Sequence, residues 1–182
     1  SDAKDRLLGP KEYKAQSTDD PIKRETIFRI YSWYQKELRA FRALDFDDLI
    51  FKTIELFVQS PDVLSYYANR FRYIHVDEYQ DTSRAQYELV RALASKHGNL
   101  CVVGDDDQSI YAWRGADIRN ILEFERDFPA TKTIRLEQNY RSTETILEAA
   151  NAVISNNYGR KSKKLWTDKG TGRSIIYHYA VD

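Results

Sequence analysis

The segment Tyr73-Ile74-His75-Val76-Asp77-Glu78 carries the clearest structural signal in the chain, because a short apolar run ends there in two carboxylates. Two later runs follow the same plan: Leu100-Cys101-Val102-Val103, which precedes Gly104, and Thr133-Ile134-Arg135-Leu136, which precedes Gln138-Asn139-Tyr140-Arg141. Such runs predict buried strands of a parallel sheet. Because ligands of open α/β sheets bind at the carboxyl ends of the strands, we expect the polar residues after each run to converge on one crevice.

Helical patterns precede the first run. Residues 1–18 mix Gly9-Pro10 with charges and predict a loop-rich entry with a short helical turn. Asp20-Pro21 then caps a helix that extends to Leu38, and Asp45 caps a second helix through Val58. Ser60-Pro61 begins a third helix, which leads into the first predicted strand. The first third of the chain is therefore predicted to be helical.

Helices and strands alternate after Tyr73. Thr82 or Ser83 can cap a helix that ends at Gly98, which completes a strand-helix-strand unit. A further helix carries Ile118, Ile121 and Leu122 and stops before Pro129, and another begins with Ser142 as its cap and extends to Ile154. The final predicted strand is Ile175-Ile176-Tyr177-His178-Tyr179.

Composition limits the classes of protein that fit. The 182 residues have zero formal net charge and 42% hydrophobic content, which suffices for a packed core. The sequence contains neither an apolar stretch of membrane-spanning length nor a signal peptide, so we expect a soluble, cytoplasmic protein without a membrane partner. The single cysteine, Cys101, lies in a predicted buried strand and is expected to be a core thiol. The three histidines lack metal-ligand spacing.

An apolar strand that ends in Asp-Glu has the Walker B arrangement of nucleotide hydrolases. The first carboxylate, here Asp77, holds Mg²⁺, and the second, Glu78, polarises the attacking water. Taken alone, the pair fits a helix cap or a solvated turn equally well.

Three stretches together resemble one family. They are Val76-Asp77-Glu78-Tyr79-Gln80-Asp81-Thr82, the segment from Val103 to Ala116 with Asp107-Gln108-Ser109-Ile110-Tyr111-Ala112-Trp113-Arg114, and Leu136 to Thr143. In order and spacing they are similar to the UvrD, PcrA and Rep group of superfamily 1 DNA helicases. Asp45-Phe46-Asp47-Asp48-Leu49 and Lys164-Leu165-Trp166-Thr167 extend the similarity over most of the chain.

The resemblance implies a set of nucleotide contacts. Asp77 would bind Mg²⁺ with Glu78 beside it, and Glu78 would be the catalytic base. Gln108 would contact the γ-phosphate and the attacking water. Arg141 would act as an arginine finger and Tyr140 would pack against the nucleotide base. A surface salt bridge is the alternative role for Arg141.

Tyr111, Trp113 and Arg114 form a second constellation, in which two aromatic residues alternate beside a cation. Exposed aromatics can stack on the bases of single-stranded DNA, at ~1–3 kcal/mol per base. The resemblance implies that Trp113 and Tyr111 contact the DNA and that Arg114 links them to the nucleotide site. Burial in the core is the alternative for both aromatics.

Other charged groups have simpler explanations. The three consecutive acids Asp105-Asp106-Asp107 could suggest a two-metal nuclease, but turn chemistry accounts for them. Asp45, Asp47 and Asp48 fit helix capping. The basic run from Arg160 to Arg173 is expected either to contact phosphates or to form a solvated connection.

The resemblance implies a fold and a place in a larger protein. The expected fold class is α/β, a partial RecA-like P-loop NTPase domain with a parallel sheet, preceded by a helical accessory segment. Residues 1–70 would be the helical segment, 71–158 the latter part of the RecA-like domain, and 159–182 a basic connection with the first strand of a second domain. Position 1 is not methionine, which also suggests a piece of a longer chain.

The function implied is that of an ATP-dependent DNA helicase, with ATP and Mg²⁺ as cofactors and with single-stranded DNA and duplex junctions as partners. It would move 3′ to 5′ and separate strands. The sequence has no Gly-x-x-x-x-Gly-Lys-Ser/Thr phosphate loop, so we expect this piece alone to be inactive. A helicase subunit of a helicase-nuclease and a non-catalytic single-stranded DNA-binding module remain as alternatives.

Overall fold

The computed structural model describes residues 2–158 and 163–180. Residues 159–162, where the predicted basic connection begins, lie outside the described residues. The chain divides into two compact units, Ser1–Ile121 and Leu122–Asp182, and each is described here by itself. The first unit holds most of the helices and the sheet.

The entry to the first unit is more helical than predicted. Helix α1 spans Asp2–Asp5 and α2 spans Pro10–Gln16, with Pro10 in the first turn of α2. Leu8 and Tyr13 are buried. The prediction missed these helices because their stability comes from side chains that pack elsewhere in the unit, whereas too few apolar residues recur locally to show a helical period.

The next three helices confirm the predictions, since two of them begin at a capping aspartate and the third begins at a proline. Helix α3 spans Pro21–Ala40, and the Asp20 side chain accepts hydrogen bonds from the backbone N–H groups of Ile22 and Lys23. Helix α4 spans Phe46–Gln59, and Asp45 accepts from the N–H of Asp48 at 2.8 Å. Helix α5 spans Pro61–Arg70.

The sheet is a parallel pair joined by one crossover helix, as predicted. Strand β1 spans Ile74–Val76 and β2 spans Leu100–Val102, with Ile74 opposite Leu100. Helix α6, Arg84–Ala94, connects them and begins at a capping box formed by Ser83 and Gln86. Helix α6 packs against α4 and α5. This unit brings the carboxyl ends of β1 and β2 to the same edge.

The expectation that Cys101 is a core thiol is wrong. Cys101 is exposed, and so is His75, its partner across the two strands. Side chains alternate between the two faces of a sheet, and the neighbours of this pair in each strand are half-buried. One face of the two-stranded sheet is therefore open among the described residues, whereas the prediction assumed cover on both faces.

The two strands predicted outside this pair are not formed. Thr133–Leu136 and Ile175–Tyr179 have no strand assignment, and their side chains are exposed. The only β-bridge of the second unit, among the residues described, joins Gln138 to Trp166. An apolar run becomes a strand only where a second backbone supplies hydrogen-bond partners, and neither run has such a neighbour within the described residues.

Two helix predictions also need correction. The single helix expected before Pro129 is two short helices, α7 at Arg119–Leu122 and α8 at Phe124–Asp127. Helix α9 spans Glu144–Ile154, and its cap is Thr143 instead of Ser142. The backbone N–H of Ser142 is instead bonded to the Asn139 side chain, so a turn occupies that position. None of the described helices is long and apolar enough to cross a membrane.

Candidate functional site

Asp77 and Glu78 follow directly after β1, at its carboxyl end, and both are exposed. Oδ1 of Asp77 accepts a hydrogen bond from the N–H of Glu78 at 2.9 Å. Glu78 has φ 49° and ψ 44°, the left-handed conformation that costs a residue with a Cβ roughly 1–2 kcal/mol. The backbone beyond it is held to β2, because the N–H of Tyr79 donates to the Val103 carbonyl at 2.9 Å. The sharp turn therefore leaves both carboxylates at the edge of the sheet.

Gln80 lies beneath this turn and is only 1% exposed. Its Nε2 donates to Oε2 of Glu78 at 2.8 Å, and its Oε1 accepts from the backbone N–H of Asp105 at 2.9 Å. Gly104 allows the close approach, since a Cβ at that position would lie 2.7 Å from Gln80 Oε1. The amide therefore joins the segment after β1 to the segment after β2.

Gln108 belongs to the same network. It ends a 3₁₀ turn, Asp106–Gln108, and its Nε2 donates to Oδ2 of Asp105 at 2.8 Å. The other oxygen of Asp105 accepts from the N–H of Asp107, as the turn-chemistry prediction required. Glu78, Gln80, Asp105 and Gln108 thus form one continuous chain of bonded groups, which brings two of the predicted site residues together.

Gln80 and Asp105 had no predicted role at the site. Gln80 stands two residues after Glu78 and could have been noticed for that reason, but its contact with Asp105 spans 25 residues of sequence. Local patterns do not reveal such a contact.

The donors at this edge fit Mg²⁺ held together with phosphates. Mg²⁺ prefers carboxylate oxygens and commonly takes only one or two from the protein, with phosphate and water completing its shell. Asp77 uses Oδ1 in the turn, and its exposed carboxylate can supply such an oxygen. Within the described part of the chain, no three His, Cys, Asp or Glu residues are grouped to hold a metal by themselves.

Tyr111, Trp113 and Arg114 lie together at the surface of the same unit. A 3₁₀ turn spans Ala112–Arg114 and ends at Gly115, whose φ of 87° favours glycine. The rings of Tyr111 and Trp113 have centroids 6.3 Å apart, and the Arg114 guanidinium lies 5.5 Å from the first centroid and 5.7 Å from the second. Trp113 is 79% exposed. We call these three residues the aromatic platform.

The segment after the platform is tied to the segment after Asp77-Glu78. Asn120 is buried, and its Nδ2 donates to the Thr82 carbonyl at 2.9 Å and to Thr82 Oγ1 at 3.1 Å. The N–H of Asp117 donates to the same carbonyl at 3.0 Å, and Ser83 forms an antiparallel bridge with Ala116.

Asp117 also fixes the start of α7. Its carboxylate receives hydrogen bonds from the side chain and backbone of Arg119, and these lower the pKa of Asp117 from its ordinary value. The backbone that follows the platform therefore enters α7 at a start that is fixed by the hydrogen bonds of Asp117.

Tyr140 and Arg141 belong to the second unit, whereas Asp77 and Glu78 belong to the first. The Tyr140 hydroxyl donates to Gln138 Oε1 at 2.8 Å, and the Arg141 N–H donates to Asn139 Oδ1 at 2.9 Å. Both side chains are exposed. The turn built on Asn139 therefore presents them at the surface of the second unit, just before α9.

Comparison with known proteins gives family matches over nearly all of the chain. Residues 1–129 match the UvrD/REP helicase N-terminal domain, and residues 134–182 match the UvrD-like helicase C-terminal domain.

Curated relatives agree with these matches. The chain is 58% identical to the ATP-dependent DNA helicase PcrA of Staphylococcus aureus over 181 residues, which is 100% of this chain and 24% of that protein. It is 55% identical to the protein of the same name from Staphylococcus epidermidis, with 100% of this chain and 25% of that protein covered. The chain spans about a quarter of the length of these relatives. Because the N-terminal helicase model alone matches well over half of the residues, the chain belongs to the UvrD/REP helicase family.

Proposed function

We propose that this chain is part of an ATP-dependent DNA helicase, which couples ATP hydrolysis to 3′-to-5′ movement on single-stranded DNA and to duplex unwinding. The observation that carries the proposal is the hydrogen-bonded chain from Glu78 to Gln108 at the carboxyl ends of two parallel strands. Family membership supports the helicase activity, and the direction of movement follows only from the resemblance.

The carboxylates have separate roles in the proposal. Asp77 holds Mg²⁺, which when bound with ATP neutralises charge on the phosphates. Glu78 accepts a proton from the attacking water. Its exposed carboxylate stands at the open edge of the sheet, where a nucleotide can reach it. The left-handed backbone at Glu78 supports a functional position, because such strain persists where the surroundings hold it and is frequent at active sites.

Gln108 orients the attacking water and contacts the γ-phosphate. An amide suits this task because it can donate and accept hydrogen bonds without changing its protonation state. Its bond to Asp105 sets the orientation of the amide nitrogen before the nucleotide arrives. In the same proposal Arg141 stabilises charge on the transferring phosphate, and Tyr140 packs against the base of the nucleotide.

The aromatic platform contacts single-stranded DNA. Trp113 offers an exposed indole face for base stacking, and Arg114 supplies a cation beside both rings. The segment that follows the platform is bonded to Thr82 through Asn120, and Thr82 lies four residues after Glu78. In this proposal these hydrogen bonds connect the DNA contact to the hydrolysis site. Duplex junctions would be bound by the larger protein.

A pair of substitutions in the full-length helicase tests the assigned roles. Glu78→Gln removes the base but keeps the size of the side chain, so kcat for ATP hydrolysis should fall by ~10² or more while ATP binding persists. Asp77→Asn should instead weaken Mg²⁺-dependent nucleotide binding. The measurements are steady-state ATPase and equilibrium binding of a fluorescent ATP analogue. Normal hydrolysis by Glu78→Gln, with loss only in Asp77→Asn, would show that Glu78 merely shapes the turn.

A non-catalytic single-stranded DNA-binding module is the second candidate, because the exposed platform would serve it equally well. The same assay separates the two functions. A full-length protein that binds labelled single strands but shows no DNA-stimulated ATP hydrolysis would support the module and contradict the helicase. A nuclease activity of the same full-length protein on single strands would identify the helicase-nuclease alternative.

A further inference from the structure

Gln80 is a buried side chain at the candidate site. It is 1% exposed, yet both ends of its amide are bonded, one to the Glu78 carboxylate and one to the Asp105 backbone. A buried polar group that bridges two loops has a positional role, because a movement of either loop lengthens one of its hydrogen bonds at a cost in free energy.

The orientation of the Gln80 amide follows from its neighbours. The Asp105 N–H can only donate, so it selects the amide oxygen, and the ionised Glu78 carboxylate can only accept, so it selects the amide nitrogen. A side chain at position 80 therefore needs an acceptor on one side and a donor on the other. Glutamate and methionine are similar in length to glutamine, and each lacks the donor.

The space around the amide is also restricted. A Cβ at Gly104 would lie 2.7 Å from Gln80 Oε1 and 3.1 Å from the Tyr79 nitrogen, so the β2 loop lies directly against it. The bond to Glu78 then acts on a residue whose backbone is in the left-handed conformation.

We propose that Gln80 is a positioning residue for ATP hydrolysis: it holds the Glu78 carboxylate and, through Asp105, the Gln108 amide in one fixed arrangement. This inference rests on the proposed roles of Glu78 and Gln108. In this proposal Gln80 links Glu78, the base after β1, to Gln108, the water-orienting amide after β2, so that neither side chain moves without the other.

The test uses full-length helicase carrying Gln80→Met or Gln80→Glu. Gln80→Met removes both hydrogen bonds at similar volume, and we expect kcat to fall by roughly 10- to 100-fold with a much smaller change in the KM for ATP. Gln80→Glu places a second carboxylate against Glu78. It can still accept from the Asp105 N–H, but it cannot donate to Glu78.

The separation of kcat from KM distinguishes positioning from simple structural support. Gln80→Glu loses only the donor to Glu78, so we expect its kcat to fall by roughly 10- to 100-fold while the KM for ATP and the melting temperature stay close to wild type. A side chain that only supported the fold would change the melting temperature without a selective loss of kcat.

Gln86→Glu is the matched control. Gln86 is exposed and accepts from the Ser83 N–H in the capping box of α6, a task that glutamate performs equally well. This variant makes the same chemical change six residues away and should keep the wild-type kcat and KM for ATP. A melting curve for each variant shows that the proteins are folded.

The outcomes distinguish this proposal from the one on which it rests. If Glu78→Gln abolishes hydrolysis while both Gln80 variants keep the wild-type kcat, the role of Gln80 is wrong and that of Glu78 stands. If Glu78→Gln hydrolyses ATP normally, the assignment of the base itself fails. Should Gln80→Met not fold, the kcat of folded Gln80→Glu decides, and a wild-type kcat contradicts the proposal.

Discussion

Trp113 is 79% exposed, although tryptophan side chains are usually largely buried. Its exposure argues against the core alternative and favours a surface that meets a ligand. The neighbouring Arg114 lies near the rings of both Trp113 and Tyr111, so the indole is held in place without burial. At the residue scale, the platform and the carboxylates at the sheet edge are separate groups of side chains on one unit.

We therefore predict that Trp113→Ala in the full-length protein weakens single-strand binding by ~1–3 kcal/mol, because one stacking contact is lost. Hydrolysis without DNA should change far less. Trp33→Ala is the matched control, since Trp33 is 63% exposed on α3 and outside the platform. Anisotropy titration of a labelled oligonucleotide, together with steady-state ATPase, measures both effects.

Gln108→Ala completes the comparison and should show the reverse pattern, with nearly intact DNA affinity and reduced hydrolysis under all conditions. If Trp113→Ala instead lowers the melting temperature sharply and loses both activities, the indole supports the fold and the platform interpretation is wrong.

At the scale of elements, the segment Thr82-Ser83 joins the turn after β1 to the start of α7. Asn120 supplies the central contact, with hydrogen bonds to the Thr82 carbonyl and hydroxyl. Asn120 is also buried, so these bonds have no water to compete with them. We therefore expect a displacement of the platform segment to act on the backbone that follows Glu78.

We predict that Asn120→Ala lowers the free energy of unfolding by about 1–3 kcal/mol, since it leaves buried acceptors without their donor. Stimulation of ATP hydrolysis by DNA should fall more than hydrolysis without DNA. Asn99→Ala is the control, because Asn99 makes the same kind of bond, to the Arg72 carbonyl, at an exposed position. Denaturant unfolding and ATPase titration with DNA measure the two effects. Equal losses from both variants would contradict the coupling role.

At the scale of the whole first unit, one buried charge cluster joins three helices. Lys4 of α1 is 3% exposed, and its Nζ lies 2.6 Å from Oδ2 of Asp45 and 3.0 Å from Oδ1 of Asp48, which is 1% exposed. The contact with Asp48 is an ion pair without hydrogen-bond geometry. The Tyr34 hydroxyl of α3 donates to Asp45 at 3.0 Å. The expected capping by Asp45 is confirmed, but Asp48 has this further, buried role.

We predict that Lys4→Ala lowers the free energy of unfolding by about 3–5 kcal/mol, because it leaves the buried Asp48 carboxylate without its cation. Lys23→Ala removes a lysine from an exposed ion pair with Asp19 and should leave stability nearly unchanged. Denaturant unfolding of the chain compares the two variants. If the two variants have similar free energies of unfolding, water hydrates the Asp48 carboxylate and the interpretation as a buried ion pair is wrong.

Acid should act on the same cluster. Burial opposes the ionised form of Asp45, but hydrogen bonds from Lys4, the Asp48 backbone and Tyr34 outweigh it and lower its pKa. A lowered pKa adds stability above the ordinary aspartate pKa of about 4, and this stability is lost as pH falls through the lowered value. Lys4→Ala should therefore make unfolding less dependent on pH in that acidic range.

The features that the sequence determined by itself are those with local causes. The starts of α3, α4 and α6 follow from Asp20, Asp45 and Ser83, whose side chains bond N–H groups two or three residues away. The family could also be predicted, since its motifs are short runs of particular residues. Such signals need no knowledge of distant neighbours.

Tertiary structure alone decided the features that depend on distant partners. Thr133–Leu136 is as apolar as β1 but has no strand beside it among the described residues, and Cys101 is exposed because one sheet face is open. Gln80 and Asp105 are 25 residues apart, and Lys4 and Asp45 are 41 apart. All of these features depend on which distant segments fold against each other. No local pattern of residues specifies the pairing of two strands, the cover of a sheet face or the burial of an ion pair.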